Sequence, residues 1–134
     1  MAILLTYTSR EWPYSELARM EATFAELGYV DEPWGARADA AIGERAWLLR
    51  QGAEGHVIFG EGSLVSRPAK APDRNGKWRN MAMIRFHRFI DPRKGSLIDK
   101  EDTRGILGTL IGARPCGRIL PDGIDALLAE RVGE

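Results

Sequence analysis

The chain is poor in the residues that staple small folds together. Its 134 residues include one cysteine, Cys116, and two histidines, His56 and His87. One cysteine permits no internal disulfide, and one cysteine with two histidines falls short of the four ligands of a structural zinc site. No apolar run approaches the ~20 residues of a membrane-spanning helix. The opening MAILLTYTSR has no basic leader and too short an apolar stretch for a secretory signal. These absences lead us to expect a cytoplasmic protein with no cofactor, no metal and no membrane partner. There is also no Walker motif, no Rossmann fingerprint, no His-Glu-x-x-His and no Gly-x-Ser-x-Gly. Nucleotide hydrolysis, hydride transfer, zinc proteolysis and ordinary serine hydrolysis are therefore poor assignments.

What is present is one ordinary core. A hydrophobic content of 44% over this length suits a single domain spanning 1–134, expected to be a monomer. No internal repeat or low-complexity segment interrupts it. Net charge is zero, yet the charges are segregated. Residues 67–94 carry nine basic side chains against Asp73 and Asp91, whereas residues 11–44 carry eight acids against Arg19 and Arg37. Such a chain either presents a polarised surface that steers an anionic polymer to one face, or cancels the two segments across the fold. Sequence alone leaves both open.

Ala2–Tyr7 is short and apolar and reads as a strand. A helix is expected from Ser15, as N-cap, to about residue 27, with Leu17, Met20, Phe24 and Leu27 at helical spacing and Gly28 as its stop. Residues 28–43 read as loop. Strands are expected at 45–50 and 56–66, with Trp47 in the core. A basic turn-rich stretch follows at 67–79, with Asn75-Gly76 as a hairpin signal. Over 80–90, alternation puts Ala82, Ile84, Phe86 and Ile90 inward and Met83, Arg85, His87 and Phe89 outward. Asp102 or Thr103 should cap a short helix carrying Leu107, Leu110 and Ile111 and closed by Gly112. Arg118–Leu120 is a last strand, and Pro121-Asp122 opens a helix with Ile124, Leu127 and Leu128 on one face. Five or so short strands with glycine-rich turns favour a small bent sheet or barrel.

The most informative stretch is 42–63, IGERAWLLRQGAEGHVIFGEGS. Two strands are broken by Arg50-Gln51-Gly52, and the second contains Gly60-Glu61-Gly62. Glycines there allow either a flat ligand to approach the backbone closely or bulges in a bent sheet.

The order of these signals resembles the EVE domain of the PUA-like superfamily, in particular the reader at the N-terminus of HNH-type, modification-dependent restriction endonucleases. The residues that carry the likeness are Trp12, Trp34-Gly35, Gly43 to Gly52, Gly60-Glu61-Gly62, Ile84 to Asp91-Pro92, and Gly117 to Pro121. Together they cover nearly the whole chain, and Leu48-Leu49-Arg50-Gln51-Gly52 is the specific part. Pro115-Cys116-Gly117 stands where a Ser-Gly pair is expected. No nuclease module follows residue 134, so the resemblance implies a separate nuclease or other effector as partner.

The resemblance implies an α+β, PUA-like bent β-barrel of about five or six strands with short flanking helices. It further implies a non-catalytic binder of nucleic acid, DNA favoured over RNA, that recognises 5-methylcytosine or 5-hydroxymethylcytosine flipped from the stack. Such a reader needs aromatic walls, polar groups for the base edge and a cationic rim for the phosphates. The candidates for the base niche are Trp12, Trp34, Gln51, Gly52, Gly60, Gly62 and Ser63. Those for the nucleic-acid backbone are Arg67, Lys70, Arg74, Lys77, Trp78, Arg79 and Arg85. Two alternatives carry less of the pattern: an ASCH-like amidohydrolase acting on modified cytidine with Glu61 as acid/base, and a YTH- or PUA-like RNA-binding module.

Overall fold

A computed structural model describes residues 2–7, 13–50, 55–108, 110 and 118–133. Within them run β1 (Ala2–Tyr7), α1 (Tyr14–Leu27), β2 (Val30–Gly35), β3 (Arg45–Arg50) and β4 (Val57–Leu64). They are followed by β5 (Ala69–Pro72), β6 (Trp78–Phe89), α2 (Lys100–Leu107), β7 (Arg118–Leu120) and α3 (Asp122–Arg131). The strands form one seven-stranded sheet in the order β2-β6-β4-β3-β1-β7, with β5 pairing to β6 off that path. Among the described residues no pairing joins β2 to β7. The barrel of five or six strands expected from sequence is thus an open, bent sheet of seven.

Two bulges produce much of the bend. Leu48 faces Gly60 while Leu49 faces Ile58, so Phe59 is an extra residue in β4. Glu61 faces Arg88 while Gly62 faces Phe86, so His87 is an extra residue in β6. A bulge inserts one residue, raises the local twist and reverses which face later residues meet. Phe89 consequently turns into the core, where the alternation of 80–90 had placed it outside, and Ile90 packs at the core's edge. Gly60 and Gly62 belong to the same device. A Cβ on Gly60 would lie 3.1 Å from Leu48 Cβ, and one on Gly62 would lie 2.3 Å from the Arg85 carbonyl oxygen. The space these glycines keep open is filled by the sheet itself.

Two apolar clusters lie on opposite faces of the sheet. On the concave face α1 covers Ile3, Leu5, Tyr7, Trp34, Leu48, Phe59, Ile84 and Phe86. On the other, α2 and α3 cover Leu4, Trp47, Leu49, Ile58 and Leu120. Trp47 is fully buried as expected, and its indole N–H donates to Asp125 Oδ1 at 2.8 Å.

Several local expectations are corrected. Residues 30–35 are a strand and not loop, and they carry Trp34 within regular structure. A short strand, β5, lies inside the basic stretch. The first helix starts at Tyr14 with Pro13 as N-cap and no side-chain cap, in place of Ser15; Gly28 does end it, with φ 79°. Asp99 caps α2 by accepting from the Asp102 N–H, displacing Asp102 and Thr103 from that role, and Gly108 ends it. Leu127 is 46% exposed, so α3 buries Leu128 but not its neighbour. Ile111 and Gly112 lie outside the described residues.

Candidate nucleic-acid interface

The bend brings distant strands together at one corner. Three strands separate β2 from β1 in the sheet, yet the Trp34 indole N–H donates to the Thr6 carbonyl at 3.4 Å. Trp34 is 4% exposed and meets Phe86 edge-on with ring centroids 6.1 Å apart. Tyr7 follows Thr6, and its ring stands edge-on to Phe59 at 5.7 Å. Arg50 is the register partner of Tyr7 in the parallel β1/β3 pair. The chain therefore leaves β1 toward Trp12, and β3 toward Gln51 and Gly52, from adjacent positions. Trp12, Gln51 and Gly52 themselves lie outside the described residues.

Charge at this corner is set by Tyr7, Tyr14, Arg50, Asp91 and Arg93, none of which sequence reasoning singled out as site residues. Burial, and then the Tyr14 phenol, push the Tyr7 hydroxyl above its usual range, against the pull of the Arg50 and Arg93 guanidiniums. Tyr7 is thus a neutral donor at physiological pH. Asp91 is fully buried, and hydrogen bonds from the Arg93 guanidinium hold its carboxyl below the usual carboxylate range. Arg93 also lies over the Tyr14 ring at 4.7 Å. The one usable signal for Arg50 was parity: Ala46, Leu48 and Arg50 share a strand face.

Further along the concave face lies the β5–β6 hairpin. Its turn forms at Asn75-Gly76 as expected, with Asp73 Oδ1 accepting from the Asn75 and Lys77 N–H groups and Gly76 at φ 80°. Trp34 pairs with Ala82, and Lys70 and Pro72 pair with Asn80 and Trp78. Alternation therefore places Lys70 and Trp78 on the face that carries Trp34. Trp78 is 66% exposed, the most exposed of the large apolar side chains described.

The cationic rim is narrower than the sequence suggested, because the acidic segment cancels part of it. Arg74 is committed to Glu32 at 3.0 Å and Glu16 at 3.6 Å. Glu32, buried on β2, also receives Arg19. Arg85 makes a two-pronged contact with Asp31 at 2.8 and 2.9 Å, which holds the Asp31 carboxyl below its usual range. Arg79 approaches Asp73 at 3.7 Å and Lys94 pairs with Glu21. Arg67, Lys70 and Lys77 are exposed and form no ion pair among the described residues. They are the part of the rim left for a partner.

Ser63 and Glu61 lie on the other face. Ser63 pairs with Arg45 and Glu61 with Trp47, whose side chain packs under α2 and α3. Glu61 is 1% exposed and is ringed by Arg45 Nη1 at 2.8 Å, Arg88 Nε at 3.0 Å and His87 Nε2 at 3.5 Å. Ser66 is structural: its hydroxyl accepts from the Met83 N–H at 2.8 Å and bridges the gap between β4 and β5. Among the described residues no group of three or more His, Cys, Asp and Glu side chains is arranged to hold a metal ion, and no helix is long and apolar enough to cross a membrane.

A bent mixed sheet with one helix on its concave face and two on the other is the PUA-like α+β architecture. The DUF55 domain of human thymocyte nuclear protein 1, itself EVE/PUA-like, shares it over 100% of both chains, with a TM-score of 0.56 and 11% identity. Protein PSPTO5229 from Pseudomonas syringae aligns over 98% of this chain and 99% of its own, with a TM-score of 0.48 and 17% identity. At such identities the likeness establishes the fold. No protein-family model and no curated protein matches the chain.

Proposed function

We propose that this chain is a non-catalytic nucleic-acid-binding domain that recognises a modified base, 5-methylcytosine or 5-hydroxymethylcytosine in DNA, everted into the corner beside Trp34. The reading is carried by one observation. An exposed tryptophan, Trp78, and the unpaired Lys70 stand on the same sheet face as Trp34, beside the unpaired Lys77 and Arg67. Flipping a base costs a few kcal/mol, and aromatic stacking and phosphate contacts supply the compensation. In this reading Trp34 and Trp12 wall the base, Gln51 reads its edge, and the hairpin cations hold the strand, with a separate effector acting on the result. The domain works as a monomer in the cytoplasm.

Fluorescence anisotropy with matched oligonucleotides tests it. The expected result is at least tenfold tighter binding (about 1.4 kcal/mol) when one cytosine is methylated or hydroxymethylated, with DNA bound more tightly than RNA of equal sequence. Equal affinity for modified and plain DNA removes the modified-base part. No binding at low salt removes the whole reading.

Trp78→Ala separates stacking from fold. The ring is mostly in solvent, so the melting temperature should stay within a degree or two. Affinity should fall by about 1–3 kcal/mol for modified and plain DNA alike. A variant that binds as tightly as the parent would remove the hairpin from the interface.

A further inference from the structure

Arg50 sits at the last position of β3, half-buried, on the strand face shared by Leu48 and Tyr7. Arginines of comparable burial elsewhere have acidic partners: Arg45 has Glu61 and Asp125, Arg74 has Glu32 and Glu16, and Arg88 has Glu61. Arg50 has none among the described residues. Its neighbour Tyr7 is a phenol and supplies no counter-charge near neutral pH. The other guanidinium at this corner, Arg93, is committed to Asp91 at 2.7 Å. A partly desolvated cation with no counter-ion is unfavourable, so its position is best accounted for by an anion arriving from outside.

We propose that Arg50 seats the phosphodiester group next to the everted nucleotide, a specificity-determining contact that rests on the function proposed above. A guanidinium matches a phosphate with two parallel N–H donors, whereas a lysine offers a point charge. Because Arg50 closes the strand from which the chain runs on to Gln51, a phosphate held here fixes the register of the base relative to the corner. The hairpin cations then hold the strand generally, and Arg50 holds one defined phosphate.

The experiment uses DNA containing one 5-methylcytosine, with a neutral methylphosphonate replacing the phosphate on its 5′ or its 3′ side. For the parent protein, one of the two substitutions should weaken binding about tenfold. Arg50→Met should weaken binding to the unsubstituted DNA to a similar degree and reduce the salt slope by about one phosphate. It should also lose its sensitivity to that methylphosphonate. Arg50→Lys should recover part of the affinity. Arg118→Met is the control, since Arg118 is also half-buried and without an ion pair but pairs with Leu4 on the opposite face; it should bind as the parent does. If the parent binds and neither methylphosphonate matters, or if Arg50→Met keeps the full penalty, the Arg50 proposal falls and the base-reading function stands. If the parent binds no oligonucleotide, the function falls and this contact with it. The parent's response to methylphosphonate needs no variant, so a folding defect in Arg50→Met would not blunt the test.

Discussion

Trp34→Ala should lower the free energy of unfolding by about 3–5 kcal/mol, the range for truncating a large buried aromatic. The reason is that Trp34 joins two edges of the sheet. Its ring is 4% exposed and packs against Phe86, while its N–H reaches the Thr6 carbonyl across the bend. Alanine would leave a cavity at that junction and strip the carbonyl of a donor. Trp34→Phe keeps much of the volume and should lose only about 1–2 kcal/mol. Urea denaturation of the three proteins measures both values. A loss under 1 kcal/mol for the alanine variant would mean that the corner is not held by Trp34. If Trp34 also walls the base, folded Trp34→Phe should bind modified DNA more weakly by at least threefold while its binding to plain DNA hardly changes.

Where neighbouring residues in sequence decide the structure, the sequence could be read correctly. The β1, β3 and β4 strands, the glycine stop at Gly28, the Asn75-Gly76 turn and the strand-to-helix step at Pro121 all follow from local pattern. What was missed depends on partners far along the chain. The β2 strand reads Val-Asp-Glu-Pro-Trp-Gly, which looks like loop because it sets Glu32 on the inward face and Pro33 beside it. Glu32 is tolerated there because Arg19 and Arg74 reach it from α1 and from the hairpin. The inward turn of Phe89 needs the His87 bulge, which depends on how β4 pairs.

The candidate site shows the same division. The residue types suited to a base, tryptophans near glycines and a basic hairpin, were visible as composition and spacing. Which cations remain available was not, since Arg74 and Arg85 are committed to acids more than forty residues away in sequence. Gly60 and Gly62 carried two readings, and the packing around them answers to the bulge. Arg50 drew no notice because both faces of β3 are buried, so an arginine at its end gives no alternation signal.

Glu61→Gln should be the most damaging conservative change on the far face, lowering stability by about 2–3 kcal/mol. The carboxylate is 1% exposed and shared by Arg45, Arg88 and His87. Arg45 also reaches Asp125 at 3.4 Å, tying the cluster to α3. An amide keeps the shape and some hydrogen bonds but leaves these cations without their common counter-charge. A fully enclosed pair broken this way loses about 3–5 kcal/mol; here the cations are a third to a half exposed, so water recovers part of that. The melting temperature should fall by roughly 10 °C for a domain of this size. Oligonucleotide binding by the folded protein should be unchanged, because Glu61 and Trp34 lie on opposite faces of the sheet. The hydrolase alternative expects the reverse: full stability in Glu61→Gln, acetate release from N4-acetylcytidine by the parent, and none by the variant. A general acid or base must reach its substrate, and a carboxylate enclosed by three cations under α3 is arranged to hold the sheet together.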